Sequence, residues 1–145
     1  MIKKIKLVII FLLFLNPNSL IAENNFFEQG KKNYNEKKYE VSKFMFQRSI
    51  VFEPKDTKSY LYLAKIYNLE ENRKEEEKNI NTVLLLDPKN EEALYMLIEI
   101  ELEKSNYSKV KELTENFIKV CKNLCDKENS IQKLLKNLEP KNESW

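Results

Sequence analysis

From residue 23 onward the apolar side chains recur at helical spacing. Tyr60, Leu63 and Tyr67 share one face at i, i+3 and i+7, and Leu94, Leu97 and Ile98 form a similar face. A further stripe, Ile131, Leu134, Leu135 and Leu138, runs between Lys133, Lys136 and Asn137 in residues 126–138 and predicts one more amphipathic helix. One glycine, Gly30, and four prolines are too few for the turns of an all-β domain, so helices are expected throughout.

The helical pattern repeats. Ile50-Val51-Phe52-Glu53-Pro54-Lys55-Asp56 has a counterpart in Leu84-Leu85-Leu86-Asp87-Pro88-Lys89-Asn90, with the two prolines 34 residues apart. An acidic residue followed by proline ends a helix, because proline lacks the N–H and bars the helical conformation from the residue before it. The period divides the chain into units at about 23–56, 57–90 and 91–124, followed by a cap helix at 126–138 and a tail at 141–145. Helical periodicity alone also fits a generic bundle; the matched spacing across units favours a repeat.

In this frame the chain resembles the tetratricopeptide repeat family over residues 23–124. The first-helix aromatic falls on Phe26, Tyr60 and Leu94, and the leucine and small residue after it on Gln29-Gly30, Leu63-Ala64 and Leu97-Ile98. The next tyrosine matches only at Tyr67, with Asn33 and Glu101 elsewhere. The aromatic that opens the second helix is Tyr39 and Tyr107 but Arg73 in unit two. Later packing pairs fall on Phe46 and Ser49, Ile80 and Val83, and Thr114 and Phe117. Glu76 departs from the usual small residue, and Lys122 stands where unit three would close on proline. The resemblance implies an all-α, right-handed α-solenoid of three tetratricopeptide-like helix pairs plus a C-terminal capping helix. A helix pair of this kind cannot bury its apolar face alone, so neighbours must stack.

The resemblance further implies a concave groove lined by first helices. Its positions here are Phe27, Lys31, Tyr34 and Asn35, then Lys58, Leu61, Lys65, Asn68 and Leu69, then Glu92, Tyr95, Glu99, Leu102 and Glu103. Phe27 and Tyr95 are expected as exposed anchors, although single surface aromatics are also common without function. Lysines in units one and two and glutamates in unit three suit a protein or peptide partner of opposite polarity along its length. One subclass of the family clamps a C-terminal carboxylate with lysine and asparagine; the corresponding positions hold Phe27, Lys31, Tyr62, Glu92 and Met96, so that clamp is absent.

Residues 1–22 read as a targeting segment. Lys3, Lys4 and Lys6 precede an apolar run at 7–15, Asn16-Pro17-Asn18 breaks it, and Ala22 offers a small residue for cleavage. Nine apolar residues fall short of the roughly 20 that span a bilayer, which favours a cleaved signal and a periplasmic or secreted chain. An uncleaved anchor over residues 2–15 is the alternative, and only that reading brings in a membrane. The chain holds 25 basic and 23 acidic residues; without residues 1–22, which carry three lysines, 22 basic face 23 acidic, and no nucleic-acid partner is expected.

Candidate chemistry is sparse. The absence of histidine and of any glycine-rich loop removes the usual general base, metal ligand and phosphate cradle, so no catalytic residue, metal or cofactor is expected. The glutamates lie in runs such as Glu75-Glu76-Glu77 that usually form a solvated face. Cys121 and Cys125 sit four apart, which on a helix end places their Cα atoms about 6 Å apart, within disulfide reach. A disulfide in an oxidising compartment and a pair of buried core thiols both fit. Self-association of the stacked pairs is the alternative to an adaptor role.

Overall fold

A computed structural model describes residues 25–138 of the protein. The expected signal at 1–22 and the tail at 141–145 lie outside the described residues. Within them the fold is all-helical, with no strand: α1 (Phe26–Asn35), α2 (Tyr39–Phe52), α3 (Thr57–Leu69), α4 (Arg73–Leu86), α5 (Glu91–Glu103), α6 (Tyr107–Val120), a 3-10 turn (Cys125–Lys127) and α7 (Glu128–Leu138). No helix among the described residues is long and apolar enough to cross a membrane. The last helix starts two residues later than its apolar stripe suggested, because Asp126 and Lys127 belong to the 3-10 turn.

The 34-residue period marks nearly every boundary. Second helices begin at Tyr39, Arg73 and Tyr107, and α3 and α5 begin at Thr57 and Glu91. Asn25, Asn72, Asn90 and Asn106 each accept, through the side-chain oxygen, the N–H three residues on, while Asp56 accepts that of Lys58. Each cap satisfies one of the N–H groups a helix start leaves open. Every first helix ends in a Schellman turn, with Lys37, Glu71 and Ser105 at φ of 58°, 57° and 55°. Lys38, Asn72 and Asn106 donate back to Asn33, Tyr67 and Glu101 carbonyls at 2.9 Å in all three. Glycine normally fills that left-handed position, so three other side chains there at equal spacing are a signature of the repeat.

Packing runs mainly from neighbour to neighbour along the chain, with a further contact between α1 and α3. On second helices the positions 42, 76 and 110, then 46, 80 and 114, then 49, 83 and 117 are all buried. The core falls into two clusters. One joins Phe46 of α2 to Leu63 and Ile66 of α3, with Phe27, Tyr34, Tyr39 and Tyr62 against it. The other joins Ala64, Ile80 and Val83 of unit two to α5, α6 and the cap residues Ile131 and Leu135. Both clusters cross a unit boundary, so the apolar faces close on neighbours. No buried side-chain nitrogen or oxygen among the described residues lacks a hydrogen-bond partner.

Polar contacts also join successive units. Lys43 of α2 meets Glu70, just past the end of α3, at 2.7 Å, and at the same repeat positions Glu77 of α4 meets Lys104, just past the end of α5, at 2.8 Å, with the charges exchanged. The buried Glu76 is satisfied by Asn68 Nδ2 at 2.8 Å and Arg73 Nη1 at 2.7 Å, which explains how an acid occupies a position where a small residue was expected. Burial acts to raise the Glu101 carboxyl, but donors on Lys104 and Asn106 outweigh it and hold it below the ordinary range.

The outward side of α1 is unlike its counterparts. Tyr62, Leu63 and Ile66 of α3 are turned toward unit one, and the equivalent Met96, Leu97 and Ile100 of α5 are buried. The same positions in α1 hold Glu28, Gln29 and Lys32, all exposed.

Gly30 has a specific role. A Cβ there would lie 2.6 Å from Cε1 and 2.7 Å from Cδ1 of the fully buried Phe46 ring. Its carbonyl accepts the hydroxyl of Ser42 at 2.8 Å, fixing α1 against α2. Gly30→Ala gains about 1 kcal/mol of helix propensity but overpacks the ring contact, which costs about 1–3 kcal/mol and offsets or exceeds that gain. Thermal unfolding should show a lowered midpoint, largely recovered by adding Phe46→Leu.

Candidate functional site

The helices α1, α3 and α5 converge on a concavity of about 380 Å³. Tyr34 enters from α1, Lys65, Asn68 and Leu69 from α3, and Glu92, Tyr95, Met96 and Glu99 from α5, while Leu124 closes one wall from the loop after α6. Seven residues expected from the sequence, Tyr34, Lys65, Asn68, Leu69, Glu92, Tyr95 and Glu99, therefore share one site. The other expected residues lie elsewhere. Phe27 and Lys58 border a separate hollow beside Glu53 and Asp56, and Leu61 borders another beside Glu92 and Val120. Lys31 is exposed and Leu102 packs against the larger core cluster; neither borders these three hollows.

The two expected aromatic anchors are not free side chains. Phe27 is half-buried, its ring 5.8 Å from those of Phe46 and Tyr62, with the Lys58 ammonium 5.8 Å from its centroid. Tyr95 is also half-buried, 6.2 Å from the Phe117 ring. Its phenol is pushed up to about 12, first by burial and then by its hydrogen bond to Glu99. Phe27 thus belongs to the core of units one and two, and Tyr95 to the floor of the concavity.

The charges are also less polarised than the sequence suggested. Lys65 Nζ pairs with Glu92 at 2.7 Å across the boundary between units two and three, and lies 4.8 Å from the Tyr62 ring centroid. Asn68 spends its amide donor on Glu76. The concavity presents an internally paired lysine and glutamate, a Tyr95–Glu99 pair, and the exposed Leu69 at its rim. Tyr34 stands 5.1 Å from Tyr62 in an edge-on contact, and its phenol is raised by burial and then by Tyr39, Tyr62 and Glu92.

No family model and no curated protein matches this chain. The geometry of the concavity is therefore the main guide to what it does. Among the described residues no group of three or more histidine, cysteine, aspartate and glutamate side chains is placed to hold a metal.

Leu124 escaped the sequence reading, and Met96 entered it only at a position of the absent carboxylate clamp. Met96 is buried in the core as well as lining the concavity. Leu124 owes its place to an unusual loop. Cys121 leaves the helix at φ −58° and ψ 144°, and a disulfide joins it to Cys125 with Cα atoms 5.3 Å apart. The two cysteines therefore meet across a turn and not on one helix face as expected, and neither is buried. Within that short ring the N–H groups of Lys122, Asn123 and Leu124 converge on the Glu91 carboxylate at 2.6, 3.0 and 3.4 Å, and Asn123 Nδ2 adds 2.8 Å. These backbone donors, from Lys122 and Asn123 foremost, lower the Glu91 carboxyl from 4.5 to about 2.

A folded-state value below the unfolded one contributes stability that is present above pH 4.5 and lost as pH falls toward 2. Acid titration of the denaturation midpoint should therefore show a decline across that window, and Glu91→Gln should flatten it while lowering stability at pH 7. An equal decline in both proteins would show that Glu91 is not the group responsible.

Proposed function

We propose that the chain is a tetratricopeptide-like, right-handed α-solenoid that binds a segment of a partner protein in the concavity between its first helices. The observation that carries this reading is the convergence of Tyr34, Lys65, Asn68, Tyr95 and Glu99, from three separate units, on one open hollow. Its floor is aromatic and its rim carries both signs of charge, the composition of surfaces that take an extended peptide or a helix. The role is non-catalytic: an adaptor or assembly factor, with no cofactor. The segment at 1–22 supports a periplasmic or secreted location after cleavage near Ala22.

A structural subunit that stacks end to end is the competing reading. Glu28, Gln29 and Lys32 argue against it, since they place charge and water where units two and three carry the apolar residues of a stacking face. That polar side is what a terminal repeat needs.

In-cell crosslinking of the tagged full-length chain tests the proposal. Leu69→Glu with Glu99→Lys alters the rim at two exposed positions and should reduce capture of a discrete partner about tenfold. Glu115→Lys with Lys119→Glu, exposed on α6 away from the concavity, should leave capture unchanged. Equal capture by both variants would remove the concavity as the binding site.

A further inference from the structure

The outer face of α2 differs from the same face of the other second helices at Val41 and Phe44, while Val51 has an exposed apolar counterpart in Leu85. Val41, Phe44, Val51 and Phe52 are 45, 52, 75 and 60% exposed, with Arg48 among them. One and two repeats later, Val41 and Phe44 are replaced by Glu75 and Lys78, which pair at 3.1 Å, and by Lys109 and Glu112, which pair at 3.0 Å. The outer helix face of units two and three is thus made for water at these positions, whereas that of unit one is apolar.

Arg48 sits inside this patch. Its guanidinium lies 4.7 Å from the Phe26 ring and 5.7 Å from the Phe44 ring, and Phe26 stacks on Phe52 at 5.3 Å. Among the described residues it has no carboxylate partner. Glu40, two turns earlier on the same row of the helix, is 84% exposed at its side chain. Among the described residues its ion-pair partner is Lys43, which also holds Glu70 at 2.7 Å and would keep that bond without it.

We propose that this face is a two-fold self-association surface, on which α2 pairs antiparallel with α2 of a second copy. The pattern is self-complementary, as an isologous contact requires. With the two-fold axis between Phe44 and Arg48, Val41 lies opposite Val51 of the other copy and Phe44 opposite its Arg48. Glu40 then comes within one turn of the other copy's Arg48, and the relation occurs twice. Aromatic side chains with an arginine are the composition that dominates protein contacts. The face of one 14-residue helix is at the small end of such interfaces, so pairing is reversible and concentration-dependent. This surface lies apart from the concavity and does not rest on the reading of that site.

Sedimentation equilibrium on residues 23–145, whose core closes within α1 to α7, tests the proposal. The weight-average mass should rise with concentration toward twice the monomer. Glu40→Arg and Arg48→Glu should each stay at the monomer mass, because each brings like charges together twice. An equimolar mixture of those two variants should regain most of the dimer, since each charge then meets its opposite across the axis. The doubly substituted chain should do the same. Circular dichroism matched to wild type confirms that these exposed substitutions leave the helices intact. Wild type at monomer mass throughout, or dimers indifferent to either substitution, would overturn the proposal. So would a monomer that instead co-sediments with vesicles of phosphatidylglycerol and phosphatidylethanolamine and loses them on Phe44→Ser, which would assign the face to a lipid surface.

Discussion

Burial between successive helix pairs is the constraint on which everything else in this chain depends. Two antiparallel helices of 10 to 14 residues cannot enclose a core by themselves. Phe46 is covered because Leu63, Ile66 and Tyr62 of the next unit lie against it, and Ala64, Ile80 and Val83 are covered because α5 and α6 follow. The close approach of α1 to α2, which leaves room only for a glycine at position 30, presents the Phe46 ring to that next unit. Each boundary then adds a polar contact that is specific to it, Lys43 with Glu70 at the first and Glu77 with Lys104 at the second. Such exposed pairs contribute at most about 1 kcal/mol each. With their signs exchanged, they favour the native order of units over a shifted one.

The concavity is a product of the same stacking. No single helix carries it, since Tyr34, Lys65 and Tyr95 come from three units and meet only when those units are in register. Its last wall depends on a loop that the repeat does not supply. Unit three lacks the closing proline; the disulfide-bonded turn and the Glu91 carboxylate that gathers its backbone N–H groups hold that loop instead. The residues that would meet a partner are thus fixed by contacts well outside the site.

Much of this was readable in the residue pattern, for identifiable reasons. Acid-proline pairs 34 apart marked the ends of α2 and α4, because proline acts locally and needs no tertiary context. Gly30 stood out as the small residue of its repeat position. The second-helix columns 46/80/114 and 49/83/117 were legible from their matched spacing, although Ser49 and Thr114 within them are polar. What failed to show was whatever depends on a neighbour in space. Phe27 reads as a surface aromatic until Tyr62 closes over it. Asn68 reads as a groove donor until Glu76 claims its amide. Lys37, Glu71 and Ser105 gave no hint of their left-handed backbone, since none is glycine or asparagine; only their common spacing marks them. Cys121 and Cys125 suggested a helix face because nothing local marks where α6 stops.

The dependence of each unit on the next can be measured directly by comparing residues 23–145 with residues 23–90. The shorter chain keeps α1 to α4 but lacks Leu94, Leu97 and Ile98, which lie in one core cluster with Ala64, Ile80 and Val83. Denaturation followed by circular dichroism should give a sharp transition for the longer chain. The shorter one should show a broad, early loss of signal, with helicity per residue well below that of the same helices in the longer chain. A shorter chain that unfolds cooperatively at the same midpoint would contradict the account, because units one and two would then hold their core without a neighbour.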